Sequence, residues 1–281
     1  MRSSGSDILR RLLKNKLASA GGFIVLILVF CALTGGLFFD YETQVINQDV
    51  MIRLQSPSSE HWFGTDDLGR DVFARVYYGA RYSLLIAVTV NLLSLIFGLL
   101  LGAVAGYYGG WFDMIIMRIM DVLMAIPSML LAIAIVAALG SNMRNMMLAL
   151  TISGIPTAAR TVRGVVLTTR SNEYVEACRA IGAKTRRIIL SHVLPNCMGP
   201  IIVHVTLYMA VSITSTAALS FLGLGIQPPM PEWGNMLSAG RTYIRKYSYL
   251  TLFPGLAIAM TALGFNLLGD GLRDAFDPRL K

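Results

Sequence analysis

Lys184 and Thr185, preceded by Ala183, are the nearest approach in this sequence to a phosphate-binding loop. Such a loop needs glycine directly before the lysine and again five positions earlier, so that bare backbone N–H groups can cradle phosphate oxygens. Ala183 and Cys178 occupy those places, so nucleotide hydrolysis is not expected of this chain. Cys31, Cys178, Cys197, His61, His192 and His204 fall at no metal-ligand spacing and outline no disulfide framework. Nor is there a His-Glu-x-x-His pair or a nucleophile beside a base, the minimum for a membrane-embedded enzyme. Arg118 and Asp121, three apart on one helix face, can pair with each other within the helix. They could open a proton relay, but no further acidic or histidine residue continues it into the same segment.

What remains is a charged insert, Glu173-Tyr174-Val175-Glu176-Ala177-Cys178-Arg179-Ala180-Ile181-Gly182, followed by Lys184, Arg186 and Arg187 and then His192-Val193-Leu194-Pro195-Asn196. Tyr174, Ala177, Cys178 and Ile181 recur at i, i+3, i+4 and i+7, which predicts an amphipathic helix with Glu173, Glu176 and Arg179 off the apolar stripe. Gly182 ends that helix. The basic residues then begin a second helical piece that stops before Pro195. A short amphipathic helix of this kind either rests on lipid or docks into a partner's groove.

The elements that must carry the insert are membrane spans. Mean hydropathy is +0.61 and only 14% of residues are charged, the composition of a polytopic membrane protein. A hydrocarbon layer of ~30 Å takes about 20 residues of helix. Six runs reach that length, near residues 18–39, 83–106, 113–139, 146–166, 199–222 and 250–271. The first follows Arg2, Arg10, Arg11, Lys14 and Lys16, exceeds the apolar core of a signal peptide and has no Ala-x-Ala site behind it. It is read as an uncleaved span. With the N-terminus inside, sixteen Lys and Arg side chains fall on the cytoplasmic side and eight on the other. The inner set includes Arg118, seven cations between Arg160 and Arg187, and Arg273, Arg279 and Lys281; this bias places both termini in the cytoplasm. The net charge of +8 suits an anionic cytoplasmic leaflet and calls for no nucleic acid.

Inside the spans, Gly98, Gly102 and Gly106 recur every fourth residue and offer a smooth stripe for close helix approach. Pro127 and Pro156 predict kinks. Ser212, Thr214, Ser215, Thr216 and Ser220 in the fifth run and Asn266 in the sixth either line a polar pathway or hold helices together. Residues 40–82 are expected to lead into the second run along the interface, with Thr65 capping a short helix and Trp62, Tyr77 and Tyr78 at the water boundary. The proline-rich stretch 221–234 is expected to fold back on the mouth of the bundle, with Trp233 interfacial.

Glu176-Ala177-Cys178, three residues, Gly182, nine residues, His192, one residue and Leu194-Pro195 resembles the EAA loop of ABC importer permeases; Cys178 and His192 stand where that pattern has alanine and isoleucine. Gly64-Thr65-Asp66-Asp67-Leu68-Gly69-Arg70-Asp71, Gly106-Tyr107-Tyr108-Gly109-Gly110, Met117-Arg118-Ile119-Met120-Asp121, Pro228-Pro229-Met230-Pro231-Glu232-Trp233-Gly234 and the Phe265-Asn266 to Arg273-Asp274 stretch resemble the dipeptide/oligopeptide/nickel group of these permeases.

The resemblance implies an all-α polytopic membrane protein of six transmembrane helices, one N-terminal helix added to a five-helix type I permease core. Its parts would be an N-terminal segment and first span (1–40), an extracytoplasmic loop (41–80), a permease domain (81–272, coupling loop 168–198) and a cytoplasmic tail (273–281). It implies a non-catalytic subunit in the bacterial plasma membrane that imports di- or oligopeptides, with nickel chelates or glutathione as alternative cargo. The implied partners are a second homologous permease, two ABC ATPases that bind ATP and Mg, and an extracytoplasmic solute-binding protein. This chain itself would carry no cofactor and no metal. By residue match, Glu173, Tyr174, Glu176, Ala177, Arg179, Ala180, Gly182, Ala183, Leu194 and Pro195 form the coupling helix and its support. A proton-coupled carrier is the rival class, and it needs titratable groups deep in the spans. Asp113, Arg118, Asp121 and Asp270 all lie near the cytoplasmic ends of the runs.

Overall fold

The computed structural model describes residues 5–276. Arg2, Arg279 and Lys281 of the orientation count, and the tail from residue 277 on, lie outside the described residues. A basic helix α1 (Gly5–Lys14) leads into α2 (Lys16–Phe38), which Asn15 caps by accepting from the Leu17 and Ala18 N–H groups. Most of the surface of α2 is exposed and apolar, with Leu26, Leu33 and Leu37 among its open side chains; only the small residues Ala18, Gly21 and Gly35 are buried. That distribution is what a helix bordered by lipid on most sides requires. At Gly21 a Cβ would stand 2.7 Å from the Gly264 carbonyl oxygen, so α2 lies directly on α11 (Tyr249–Phe276).

The centre of the bundle is the pair α3 (Val72–Tyr108) and α6 (Met143–Arg170), started by Asp71 and Asn142, whose carboxylate and amide oxygens accept from the Ala74 and Asn145 N–H groups. The glycine stripe does what its spacing predicts. Gly98 faces Ala158, Gly102 faces the Ala159 carbonyl and Val162, and Gly106 faces the Arg163 carbonyl and Val166. Pro156 sits within an unbroken α6.

Pro127 does more than kink its run. The expected third span divides into α4 (Gly110–Met124) and α5 (Ser128–Leu139), whose axes meet at 83°. Proline disfavours the helical conformation in the residue before it and removes a donor, so the chain leaves the helix there. The Arg118–Asp121 pair that the spacing allows is also replaced. Arg160 reaches Asp121 at 2.7 Å, and Arg163 grips both oxygens of Asp113. All three cations are arginines, so the difference is one of position: α6 packs beside α4 and brings Arg160 and Arg163 up to the α4 carboxylates.

Among the described residues, four helical stretches are long and apolar enough to cross a membrane: Lys16–Phe38, Val72–Tyr108, Thr185–Phe221 and Tyr249–Phe276. Counted as one broken span, the bent α4–α5 pair makes a fifth. The sixth expected crossing is α6, whose 28 residues span about 42 Å; Arg144, Arg160, Arg163 and Arg170 make it the least apolar of the set.

Residues 40–71 form a folded cap. Asp66 accepts from the Leu68 and Arg70 N–H groups and from Arg70 Nε at 2.7 Å, while buried Arg75 donates to the Val45 carbonyl. Thr65 caps no helix. It is fully buried, accepts from the Gln55 N–H and donates to the Ile52 carbonyl, because the chain at Gln55 lies beside it. Trp62 is exposed, as expected, but Tyr78 and Trp233 are buried rather than interfacial. The Trp233 indole N–H donates to the Val76 carbonyl, and the segment before it folds back onto α3, with Pro231 against Gly79. Glu232 caps α10 (Trp233–Gly240) by accepting from the Gly234 and Asn235 N–H groups; burial pushes its carboxyl up, against the pull of those donors.

Candidate functional site

Between α6 and the next long helix the chain makes α7 (Glu173–Ala180), with Glu173 and Glu176 in its first turn, where the partial positive charge of the helix start favours them. Gly182 adopts φ +77°, a left-handed conformation that glycine reaches without strain. The closing bonds run from Gly182 N–H to Arg179 O at 3.0 Å and from Ala183 N–H to Cys178 O at 3.1 Å, the pairing that satisfies the last carbonyls of a helix.

The face that α7 turns inward differs from the expected stripe. Val175 is completely buried, with Cys178 half-buried beside it, in a cluster with Tyr107, Val162, Val166, Ile188, Val193, Cys197 and Ile201. Arg179 lies over the Tyr107 ring at 5.2 Å, and Arg170 donates to the Tyr107 carbonyl at 2.8 Å. Tyr174, Ala177 and Ile181 point away and are open, Ile181 at 82% exposure. The tertiary contact with α3 and with the long helix after the insert claims Val175, a residue outside the counted stripe. The rest of the stripe, Tyr174, Ala177 and Ile181, is left as a free apolar face on a helix held from behind by Val175 and Cys178. A groove of about 600 Å³ runs beside it, lined by Tyr107, Tyr108, Glu176, Arg179, Ala183 and Thr185 among others.

The second helical piece does not stop before Pro195. α8 (Thr185–Ile188) passes through a π-helical turn (Ile189–Val193) into α9 (Leu194–Phe221). Pro195 lies within this continuous run, where it lacks the N–H that would bond to the preceding turn, and the widened π turn just before it takes up the mismatch. From Thr185 on, the insert is therefore continuous with a membrane-length helix, while α7 is set off from it by the turn at residues 181–184.

Of the pathway residues, Ser212, Thr216 and Ser220 share the buried face of α9, and Ser215 joins Ser212 in lining a small notch. Ser220 meets Met146 of α6 at 3.7 Å. Asn266 is exposed on α11 and lines no part of that notch. Sequence reasoning missed Tyr107, Arg170 and Val175 as the seat of the insert, and Ser128, Ser153 and Tyr208 as neighbours of Ser212. Their partners are remote in sequence, and no local spacing announces them.

Comparison with known proteins adds three findings. Residues 98–281 match the family described as binding-protein-dependent transport system inner membrane component, and residues 3–57 match the N-terminal TM domain of oligopeptide transport permease C. The chain is 48% identical over 275 residues to a dipeptide transport system permease protein of Alkalihalophilus pseudofirmus, covering 98% of this chain and 90% of that one. It is 45% identical to a glutathione transport system permease protein of Pectobacterium atrosepticum (100% and 93% covered) and 42% identical to an oligopeptide transport system permease protein of Bacillus subtilis (98% and 90%). Among solved structures, a chain of the inward-facing MetNI methionine ABC transporter matches with TM-score 0.60 at 17% identity, over 72% of this chain and 97% of that one.

Proposed function

Since the chain belongs to the family of binding-protein-dependent transport system inner membrane components, we propose that it carries di- and oligopeptides inward, with α7 as the seat of its motor. It is a multi-pass inner-membrane permease subunit of an ATP-driven ABC importer and is not itself an enzyme. Peptide cargo is supported by relatives named for dipeptides, oligopeptides and glutathione, which share a peptide backbone and a free carboxylate. The assembly is a pair of homologous permeases, two ATPases that bind ATP and Mg, and an extracytoplasmic solute-binding protein. Both termini lie in the cytoplasm, in keeping with the excess of Lys and Arg on that side.

One observation carries the coupling role: α7 is pinned to the bundle by Val175, Cys178 and Arg179 while Tyr174, Ala177 and Ile181 stay open. A helix fixed on one face and free on the other transmits a rigid-body push from whatever seats on it. Glu173, Glu176, Ala180, Gly182 and Ala183 frame that face, and Leu194 and Pro195 open α9 at the far end of the insert.

The test is uptake by the assembled complex in proteoliposomes. Glu176→Lys is expected to leave insertion intact and to lower ATP-driven peptide uptake by roughly tenfold, the size of a lost intersite coupling. Unchanged uptake would contradict the coupling role. Vanadate should abolish wild-type uptake while an uncoupler leaves it running; the reverse pattern would indicate a proton-driven carrier.

A further inference from the structure

The helix α5 starts without a cap. Pro127 precedes it and supplies no side-chain acceptor, and the first helical bond runs from Leu131 N–H to Pro127 O at 3.0 Å. The N–H groups of Ser128, Met129 and Leu130 thus come before the ladder begins. Twelve residues of helix reach about 18 Å from the turn at Gly140, less than a hydrocarbon layer of ~30 Å. The neighbours of this start come from the middles of long helices: Val90 of α3, Ser153 of α6, and Tyr208, Ser212 and Ser215 of α9. A broken helix at such depth persists where it lines a cavity.

The cavity is there. Ser128 and Met129 open onto a notch of about 30 Å³, whose lining includes four serine hydroxyls and the Tyr208 phenol and no charged side chain. At roughly 10–15 Å³ per water it has room for two oxygen atoms and little more. Ser212, on its wall, is 3% exposed, and its hydroxyl has no hydrogen-bond partner. A buried hydroxyl without a partner is costly unless something enters to complete it. Val211, about half exposed (49%), forms part of the rim, so the notch is reached from the subunit surface.

We propose that this notch receives the terminal carboxylate of the passing peptide, held by the N–H groups that open α5 and by the hydroxyls of Ser212, Ser215 and Tyr208. The helix start supplies positive potential without a counter-charged side chain, which favours an anionic group and lets it leave again. The notch admits a carboxylate but not a side chain, so the site reads the invariant end of a peptide and ignores its sequence. This rests on the peptide cargo proposed above.

The experiment places a cysteine at Ser128, which is exposed, in the full transporter complex in lipid nanodiscs. The complex without this substitution supplies the background from the native cysteines. With each reagent's rate divided by its rate on a small free thiol, an anionic methanethiosulfonate is expected to modify Ser128→Cys roughly tenfold faster than a cationic one of similar size. Millimolar dialanine should slow that reaction and dialanine amide should not. Adding Ser212→Asp should reverse the charge preference; if that double variant fails to assemble, the comparison of acid with amide decides alone. Equal normalised rates for the two reagents, or equal protection by acid and amide, would overturn the assignment. Uptake of radiolabelled dialanine by the unsubstituted complex separates the two readings. Uptake without protection sinks the notch, and protection without uptake sinks the peptide cargo.

Discussion

Gly182 is needed for its backbone and not for its small size: it holds φ +77°, yet nothing lies within 4 Å of where a Cβ would stand. An L-residue in that conformation costs about 1–2 kcal/mol, and asparagine adopts it more readily than alanine. Gly182→Ala is therefore expected to loosen the turn closing α7, read as faster hydrogen exchange at the amides of residues 182 and 183 and as weaker stimulation of ATP hydrolysis by the loaded binding protein. Gly182→Asn should keep most of both. A valine variant indistinguishable from wild type would refute a conformational role. Residues of this kind are legible in sequence because a helix stop is a local event. Val175 and Thr65 are not. The first is claimed by Tyr107, Val166 and Cys197, and the second by the carbonyl of Ile52, contacts that only the folded chain creates.

Between elements, the α3–α6 contact shows the same division. A glycine every fourth residue is visible in sequence because helix geometry alone stacks the three on one face, and the facing backbone at Ala159 confirms the close approach. At Gly102 a Cβ would stand 2.4 Å from the Ala159 carbonyl oxygen and 2.8 Å from the Val162 Cβ, too close for either helix to stay in place. Gly102→Ala should cost about 1–3 kcal/mol through forced separation of the pair, seen as a lower unfolding midpoint in mixed detergent micelles. Gly164→Ala is the matched control, since nothing lies within 4 Å of its Cβ position on α6; it should be neutral or slightly stabilising. Equal effects at the two sites would show that helix propensity and not packing is being measured. The bend at Pro127 and the passage of helix through Pro195 were harder to read. Proline marks a place where backbone bonding changes, and the neighbouring helices decide whether the outcome is a break, as at Pro127, or a continuous helix, as at Pro156 and Pro195.

At the scale of the molecule, three apolar clusters form among the described residues, and the one containing Val175 joins the insert to α3, α6 and α9 at once. If force enters at the open face of α7, this cluster is the solid that passes it on, because close-packed interiors resist compression. Val175→Ala removes two buried methyl groups and should cost roughly 2 kcal/mol locally. The open face of Tyr174, Ala177 and Ile181 is untouched, so partner ATPases should still co-purify. What should change is the link between the two ends: hydrolysis continues while peptide uptake per ATP falls. Val175→Asp puts a carboxylate into the same fully buried place and should detach the insert, abolishing uptake while α3 and α9 remain inserted. Loss of ATPase association in Val175→Ala, with the remaining transporter fully coupled, would mean that the cluster shapes the docking face and does not transmit movement. An unaltered ratio of uptake to hydrolysis in both variants would place the path of force elsewhere, with the continuous helix from Thr185 into α9 as the remaining route.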